Sequence, residues 1–183
     1  CDVLVAMNPA ALKTQYKFCK PQAVIIIDTD SFTKRDLEKA QFQLENPFSE
    51  LGIKNEVVEA SITTMCKECL KDSGLDNKSI LRSKNMFALG LVCWLFQRDV
   101  KVGEKILREK FAKKPEIAEA NVQVLYAGYQ FGANTHASVS MSYRVPSKNQ
   151  KAHGRYMDIN GNKATSYGLI AAAEKAGLQL YLG

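Results

Sequence analysis

Ala23-Val24-Ile25-Ile26-Ile27-Asp28-Thr29-Asp30 is the stretch that decides the fold class. Five consecutive apolar residues, four of them β-branched, suit a strand covered on both faces, as in a parallel sheet. The run stops at three polar residues. In open α/β sheets that carboxyl end of a strand is where ligands bind. Asp28 therefore has two readings. It either caps the strand end or the next turn through its own carboxylate, or it touches a cofactor hydroxyl.

Upstream, Asp2 to Met7 is a second short apolar run and reads as a buried strand. Asn8-Pro9 ends it, because proline has no ladder N–H and restricts the residue before it. Asn8 thus stands at the same sheet edge as Asp28, turning the chain or offering its amide to a ligand. Ala10 to Lys13 follows as one or two helical turns. Downstream, Glu56 to Ser61 alternates weakly and reads as a third strand, and Ile62 to Lys71 as a helix. Lys34 to Phe48 reads as a helix or an excursion ending near Pro47.

The strongest helical signal is Ser79 to Asp99. Its apolar residues cover nearly every side, so it is expected to be buried. Gly90 inside it costs about 1 kcal/mol of propensity relative to alanine, which points to close contact with another backbone. Val102 to Phe111 is amphipathic, with Ile106 and Leu107 expected inward. Pro115 opens a further helix at its first turn, with Ile117, Ala120, Val124, Leu125 and Gly128 as its stripe and Phe131-Gly132 as its end. Strands alternate with helices, so the class is α/β. The N-terminus has no basic leader before its apolar stretch, so it is not read as a signal peptide. It reads as a strand already under way, and further strands are expected upstream of Cys1.

The chain has 183 residues, with 25 Lys+Arg, 19 Asp+Glu and a formal charge of +6. Its 46% apolar and 24% charged content is ordinary globular usage, which excludes disordered and collagen-like chains. The longest apolar run, Met86 to Phe96, has 11 residues, against about 20 for a membrane span. The charge is uneven. Residues 1–70 carry 8 basic and 10 acidic side chains, 71–142 carry 11 and 7, and 143–183 carry 6 and 2. Arg144, Lys148, Lys151 and Arg155 fall between Tyr143 and Met157 with no acid among them, a linker candidate or an anion patch. Only Tyr143 and Tyr156 could stack on bases there, so nucleic acid is not expected.

Catalytic motifs are scarce. No G-x-G-x-x-G or G-x-x-x-x-G-K-[ST] occurs. Five cysteines at irregular spacing, with no export signal, are expected as reduced thiols in the cytoplasm. Cys66-Lys-Glu-Cys69 lacks the second ligand pair of a structural zinc site, and a thioredoxin-like motif needs a preceding strand and an exposed helix start where these residues fall inside a helix, so the pair is read as incidental, with no metal or redox site assigned. An EF-hand fails at Asp158, because the twelfth position is Leu169. Two histidines, His136 and His153, do not assemble a triad.

Three ordered segments carry a resemblance: Asp2-Val3-Leu4-Val5-Ala6-Met7-Asn8-Pro9-Ala10-Ala11-Leu12; Asn85-Met86-Phe87-Ala88-Leu89-Gly90 with Phe111-Ala112-Lys113-Lys114-Pro115-Glu116-Ile117-Ala118-Glu119-Ala120-Asn121; and Gly161-Asn162-Lys163-Ala164-Thr165-Ser166-Tyr167-Gly168-Leu169-Ile170-Ala171-Ala172-Ala173. Together they resemble the 2-oxoacid:ferredoxin oxidoreductase family, and within it the alpha subunit of the 2-oxoglutarate (KorA-like) branch with a fused gamma domain.

The resemblance implies a three-layer gamma domain lacking its N-terminal part at residues 1–142, a basic linker at 143–160, and the start of a thiamine-enzyme pyrimidine-binding domain at 161–183. Its first helix would be Ala164 to Ala176. Relatives often have an acidic residue where Lys163 stands, so no role passes to that position. The family reaction is oxidative decarboxylation of a 2-oxoacid to an acyl-CoA, with electrons passed to ferredoxin. The resemblance implies thiamine diphosphate, Mg, an iron–sulfur cluster and coenzyme A in the complete complex, with none bound by this segment. It implies a beta subunit and ferredoxin as partners and an accessory role for this chain. Asn8 and Asp28 are the candidate cofactor-binding residues, and no catalytic or metal residue is expected. The competing reading is a stand-alone α/β module that binds a phosphate ligand or serves assembly.

Overall fold

The computed structural model describes residues 1–135 and 159–181. They fall into two units, one holding 1–135 and the other 159–181. The first unit is built on three strands, β1 (Val3–Ala6), β2 (Val24–Asp28) and β3 (Val57–Ala60), all parallel in the order β1-β2-β3. Val3, Leu4, Val5 and Ala6 stand opposite Val24, Ile25, Ile26 and Ile27, and Ile25 to Asp28 stand opposite Val57 to Ala60.

The central strand β2 is buried along all five residues, as its unbroken apolar run requires. Eight helices surround the sheet: α1 (Pro9–Gln15), α2 (Lys34–Lys39), α3 (Pro47–Glu50), α4 (Ile62–Cys69), α5 (Asn77–Arg82), α6 (Lys84–Leu95), α7 (Val100–Lys110) and α8 (Pro115–Thr135). Alternation along the strands sorts the side chains into two faces. Val3, Val5, Val24, Ile26 and Val58 pack with Leu91, Trp94 and Leu95 of α6 and Phe131 of α8. Leu4, Ala6, Ile25, Ile27 and Val57 pack with Leu12 of α1 and with Phe48 and Leu51 at α3. The result is a three-layer α/β arrangement. Burying each of these Ile and Leu side chains is worth about 2 kcal/mol.

Helix α6 crosses α8 with almost no gap. A Cβ on Gly90 would lie 2.0 Å from the Leu125 carbonyl oxygen, and one on Gly128 would lie 2.0 Å from the Phe87 carbonyl oxygen. The close backbone contact expected from Gly90 is therefore present. Gly132 likewise makes room for the Trp94 ring, from which a Cβ at that position would be only 2.7 Å away.

Several boundaries depart from the sequence reading. The apolar stretch 79–99 is two helices, because the chain breaks at Ser83, whose hydroxyl and N–H both donate to the Ile80 carbonyl. Burial is also incomplete, since Leu89 is 40% exposed. In α7, Leu107 is buried but Ile106 is 56% exposed. Neighbouring helical residues differ by about 100°, and the inward row is Val100, Gly103 and Leu107. Helix α8 runs past Phe131-Gly132 to Thr135. Pro47 starts α3 instead of ending an earlier helix, and Asn46 caps it. His136, His153, Asp158 and the basic stretch Tyr143 to Met157 lie outside the described residues.

In the second unit, α9 (Gly161–Ala176) begins three residues before the expected Ala164, because Asn160 caps it by accepting from the Lys163 N–H at 2.9 Å. Gly177 closes it at φ 65°, the left-handed conformation favoured after a helix. None of its residues is buried.

Candidate functional site

The carboxyl edge of the sheet gathers the ends of β1, β2 and β3 and the first turns of α1, α4 and α6. Asp28 is the last residue of β2 and has no exposed surface. A buried carboxylate needs partners, and this one has four. Lys84 Nζ, at the head of α6, donates to Oδ2 at 2.8 Å. Ser31 and Thr63 hydroxyls donate to the same oxygen at 2.9 and 2.8 Å, and the Thr63 N–H donates to Oδ1 at 3.2 Å. Lys84 also donates to Thr63 Oγ1 at 2.9 Å. Burial works to raise the Asp28 carboxyl, and the bonds from Lys84, Thr63 and Ser31 outweigh it, so the group is held below the usual aspartate value.

Asp30 completes the edge. It accepts from the Thr64 N–H at 2.7 Å and the Thr64 hydroxyl at 3.0 Å. Two first-turn amides of α4 are therefore occupied by the chain's own carboxylates, the charge sign that a helix N-terminus favours. Asn8 is exposed and caps α1, its Oδ1 accepting from the Ala11 N–H at 2.8 Å. Asn8 and Asp28 thus share the edge expected of them, with different duties. Asp28 ties α4 and α6 to the sheet, while Asn8 leaves its amide group in solvent.

Beside the end of β2 lies a cleft of about 360 Å³, whose lining includes Ile27, Thr29, Phe32, Glu45, Asn46 and Glu59. Two glutamates make it a poor seat for a phosphate. No buried side-chain polar atom lacks a partner among the described residues. Nor do three histidine, cysteine or acidic side chains converge there as a metal site would need. Cys66 is buried within α4 and its thiol is pushed up to about 12, chiefly by burial and then by Cys69 and Asp28. A thiol held there is not a nucleophile at neutral pH. Lys84, Thr63 and Ser31 were not marked by the sequence. The one available signal was a lone lysine heading an apolar helix.

The family described as pyruvate ferredoxin/flavodoxin oxidoreductase matches residues 1–131. The chain is 42% identical over 183 residues to the 2-oxoglutarate oxidoreductase subunit KorA of Mycobacterium tuberculosis (strain ATCC 25618 / H37Rv), covering all of this chain and 28% of that protein. A solved structure, a 2-oxoglutarate:ferredoxin oxidoreductase from Magnetococcus marinus with 2-oxoglutarate, coenzyme A and succinyl-CoA bound, is similar in fold. Its TM-score is 0.61 at 19% identity, over 100% of this chain and 32% of that one. The chain spans under a third of either relative.

Proposed function

The chain belongs to the pyruvate ferredoxin/flavodoxin oxidoreductase family, and from that premise we propose that it is the gamma-type portion of a 2-oxoglutarate:ferredoxin oxidoreductase alpha subunit. The whole complex would oxidatively decarboxylate 2-oxoglutarate to its acyl-CoA and pass the electrons to ferredoxin. The observation that carries this reading is the match to a 2-oxoglutarate oxidoreductase subunit along the entire chain, β1 through α9.

Within that complex the segment is an accessory, packing domain. Its carboxyl edge supports this role, because the buried carboxylate and the first turn of α4 satisfy each other. The same facts disfavour the stand-alone phosphate-binding reading. The α4 amides are taken, and the neighbouring cleft is acidic. Any ligand contact at this edge falls to the exposed amide of Asn8, with Asp28 acting only through the helices it holds.

Residues 1–142 form the gamma-type domain, 143–160 a linker, and 161–183 open the thiamine-enzyme domain. Thiamine diphosphate, magnesium, coenzyme A and an iron–sulfur cluster belong to other parts of the complex and its beta subunit. Large apolar side chains left in solvent, Leu89, Val102 and Ile106 in the first unit and Tyr167, Leu169 and Ile170 in the second, are surface that a larger assembly would cover. A cytoplasmic setting goes with this reading. No described helix is long and apolar enough to cross a membrane.

Co-purification from the native source tests the assembly. The expected result is a stable complex with a second subunit and bound thiamine diphosphate. A protein that purifies alone, with no thiamine cofactor in any co-eluting species, overturns it.

A further inference from the structure

Cys1 and Cys19 meet at the amino edge of the sheet, the end opposite Asn8. The Cys1 nitrogen donates to the Phe18 carbonyl, and the Lys20 N–H donates to the Cys1 carbonyl at 3.0 Å. The two Sγ atoms are 3.7 Å apart.

The flanking residues hold this contact. Asp2 and Lys20, the next residue after each cysteine, form an ion pair at 2.7 Å. Asn55 Nδ2 donates to the carbonyls of Lys20, Pro21 and Ala23 at 3.0, 3.1 and 2.9 Å, pinning the chain just after Cys19. Cys19 is half-buried, so this contact is not sealed inside the core.

The remaining cysteines lack this arrangement. Cys66 and Cys69 share one helical turn, with Cys66 buried, and Cys93 lies on α6. The C-x-x-C cysteines lie within one turn of α4, whereas Cys1 and Cys19 are brought together across 18 positions.

We propose that Cys1 and Cys19 are a reversible redox pair that a peroxide closes into a disulfide. The Cys1 thiolate attacks one peroxide oxygen, the O–O bond breaks, and the leaving hydroxide takes a proton to become water. The resulting sulfenic acid is attacked by the Cys19 sulfur, which forms the S–S bond and expels a second water. Both sulfurs are oxidised by one electron each, and the two peroxide oxygens are reduced. A dithiol reductant reverses the step. The bridge closes a covalent loop around α1 while β1 separates it from the carboxyl edge. Such a cross-link stabilises chiefly by restricting the unfolded chain.

The test uses the full natural chain in its purified complex. It is treated with one equivalent of hydrogen peroxide, alkylated and mapped without reduction. The expected product is a Cys1–Cys19 linked peptide lighter by two hydrogens, lost on dithiothreitol treatment and absent from Cys19→Ser. The melting temperature of the oxidised wild type rises by several degrees, and that of Cys19→Ser does not. Recovery of Cys1 and Cys19 as separate alkylated or sulfinic peptides overturns the proposal, as does a linked peptide joining Cys66 to Cys69.

Discussion

Lys84 is the residue on which the carboxyl edge depends. It supplies the only ion-pair partner recorded for the fully buried Asp28 among the described residues. Removing one member of a buried pair leaves the other charge uncompensated, at a cost of about 3–5 kcal/mol. Lys84→Met should therefore lower unfolding free energy by about 3 kcal/mol in urea titrations at pH 7. The pH dependence has a definite sign. Asp28 is depressed in the folded state, so its contribution is present above the unfolded value of about 3.9. It is lost as pH falls through the lower folded value. In Lys84→Met that acid-side loss should flatten or reverse, which urea titrations repeated at falling pH would read. Asn8→Ala should cost about 1 kcal/mol through loss of the α1 cap, measured the same way. Asp28 and Asn8 were legible in the sequence because each is polar at the end of an apolar strand. Lys84 and Thr63 were not, because they lie 56 and 35 positions from Asp28 and only the fold joins them.

Among the elements, the α6–α8 crossing places the strictest demand on sequence. Alanine is a better helix former than glycine by about 1 kcal/mol, so in a loosely packed helix Gly90→Ala would stabilise. Here the added carbon would lie 2.0 Å from the Leu125 carbonyl oxygen, and backbone cannot yield as a side chain can. Gly90→Ala should destabilise by about 1–3 kcal/mol, the range for overpacking. Gly168→Ala on α9 meets nothing within 4 Å and should be neutral or slightly stabilising. Thermal melts of the two variants compare these signs directly. The glycine inside an apolar helix made one side of this contact readable beforehand. The other side was also present, as Gly128 and Gly132 one helical turn apart, a small-residue spacing that permits close approach. The breaks were harder to see. Nothing in an apolar run announces that Ser83 will end one helix and begin another. Assigning both Ile106 and Leu107 inward ignored the rotation between adjacent helical positions.

For the molecule as a whole, the strand–helix alternation was enough for the class, and the order of three segments was enough for the family. The charge distribution is sharper than its total. Residues 98–114, which include α7, hold 7 basic and 3 acidic side chains, beside the exposed Val102 and Ile106. No catalytic motif marks the reaction in the sequence, and the proposal places the groups that do the chemistry on other parts of the complex. The most direct test is a ferredoxin-reduction assay on the native complex containing this chain, with 2-oxoglutarate or pyruvate as substrate and with or without coenzyme A. Reduction that requires both 2-oxoglutarate and coenzyme A, with pyruvate a poor replacement, is the result expected. Reduction with neither 2-oxoacid, or activity indifferent to coenzyme A, would contradict it.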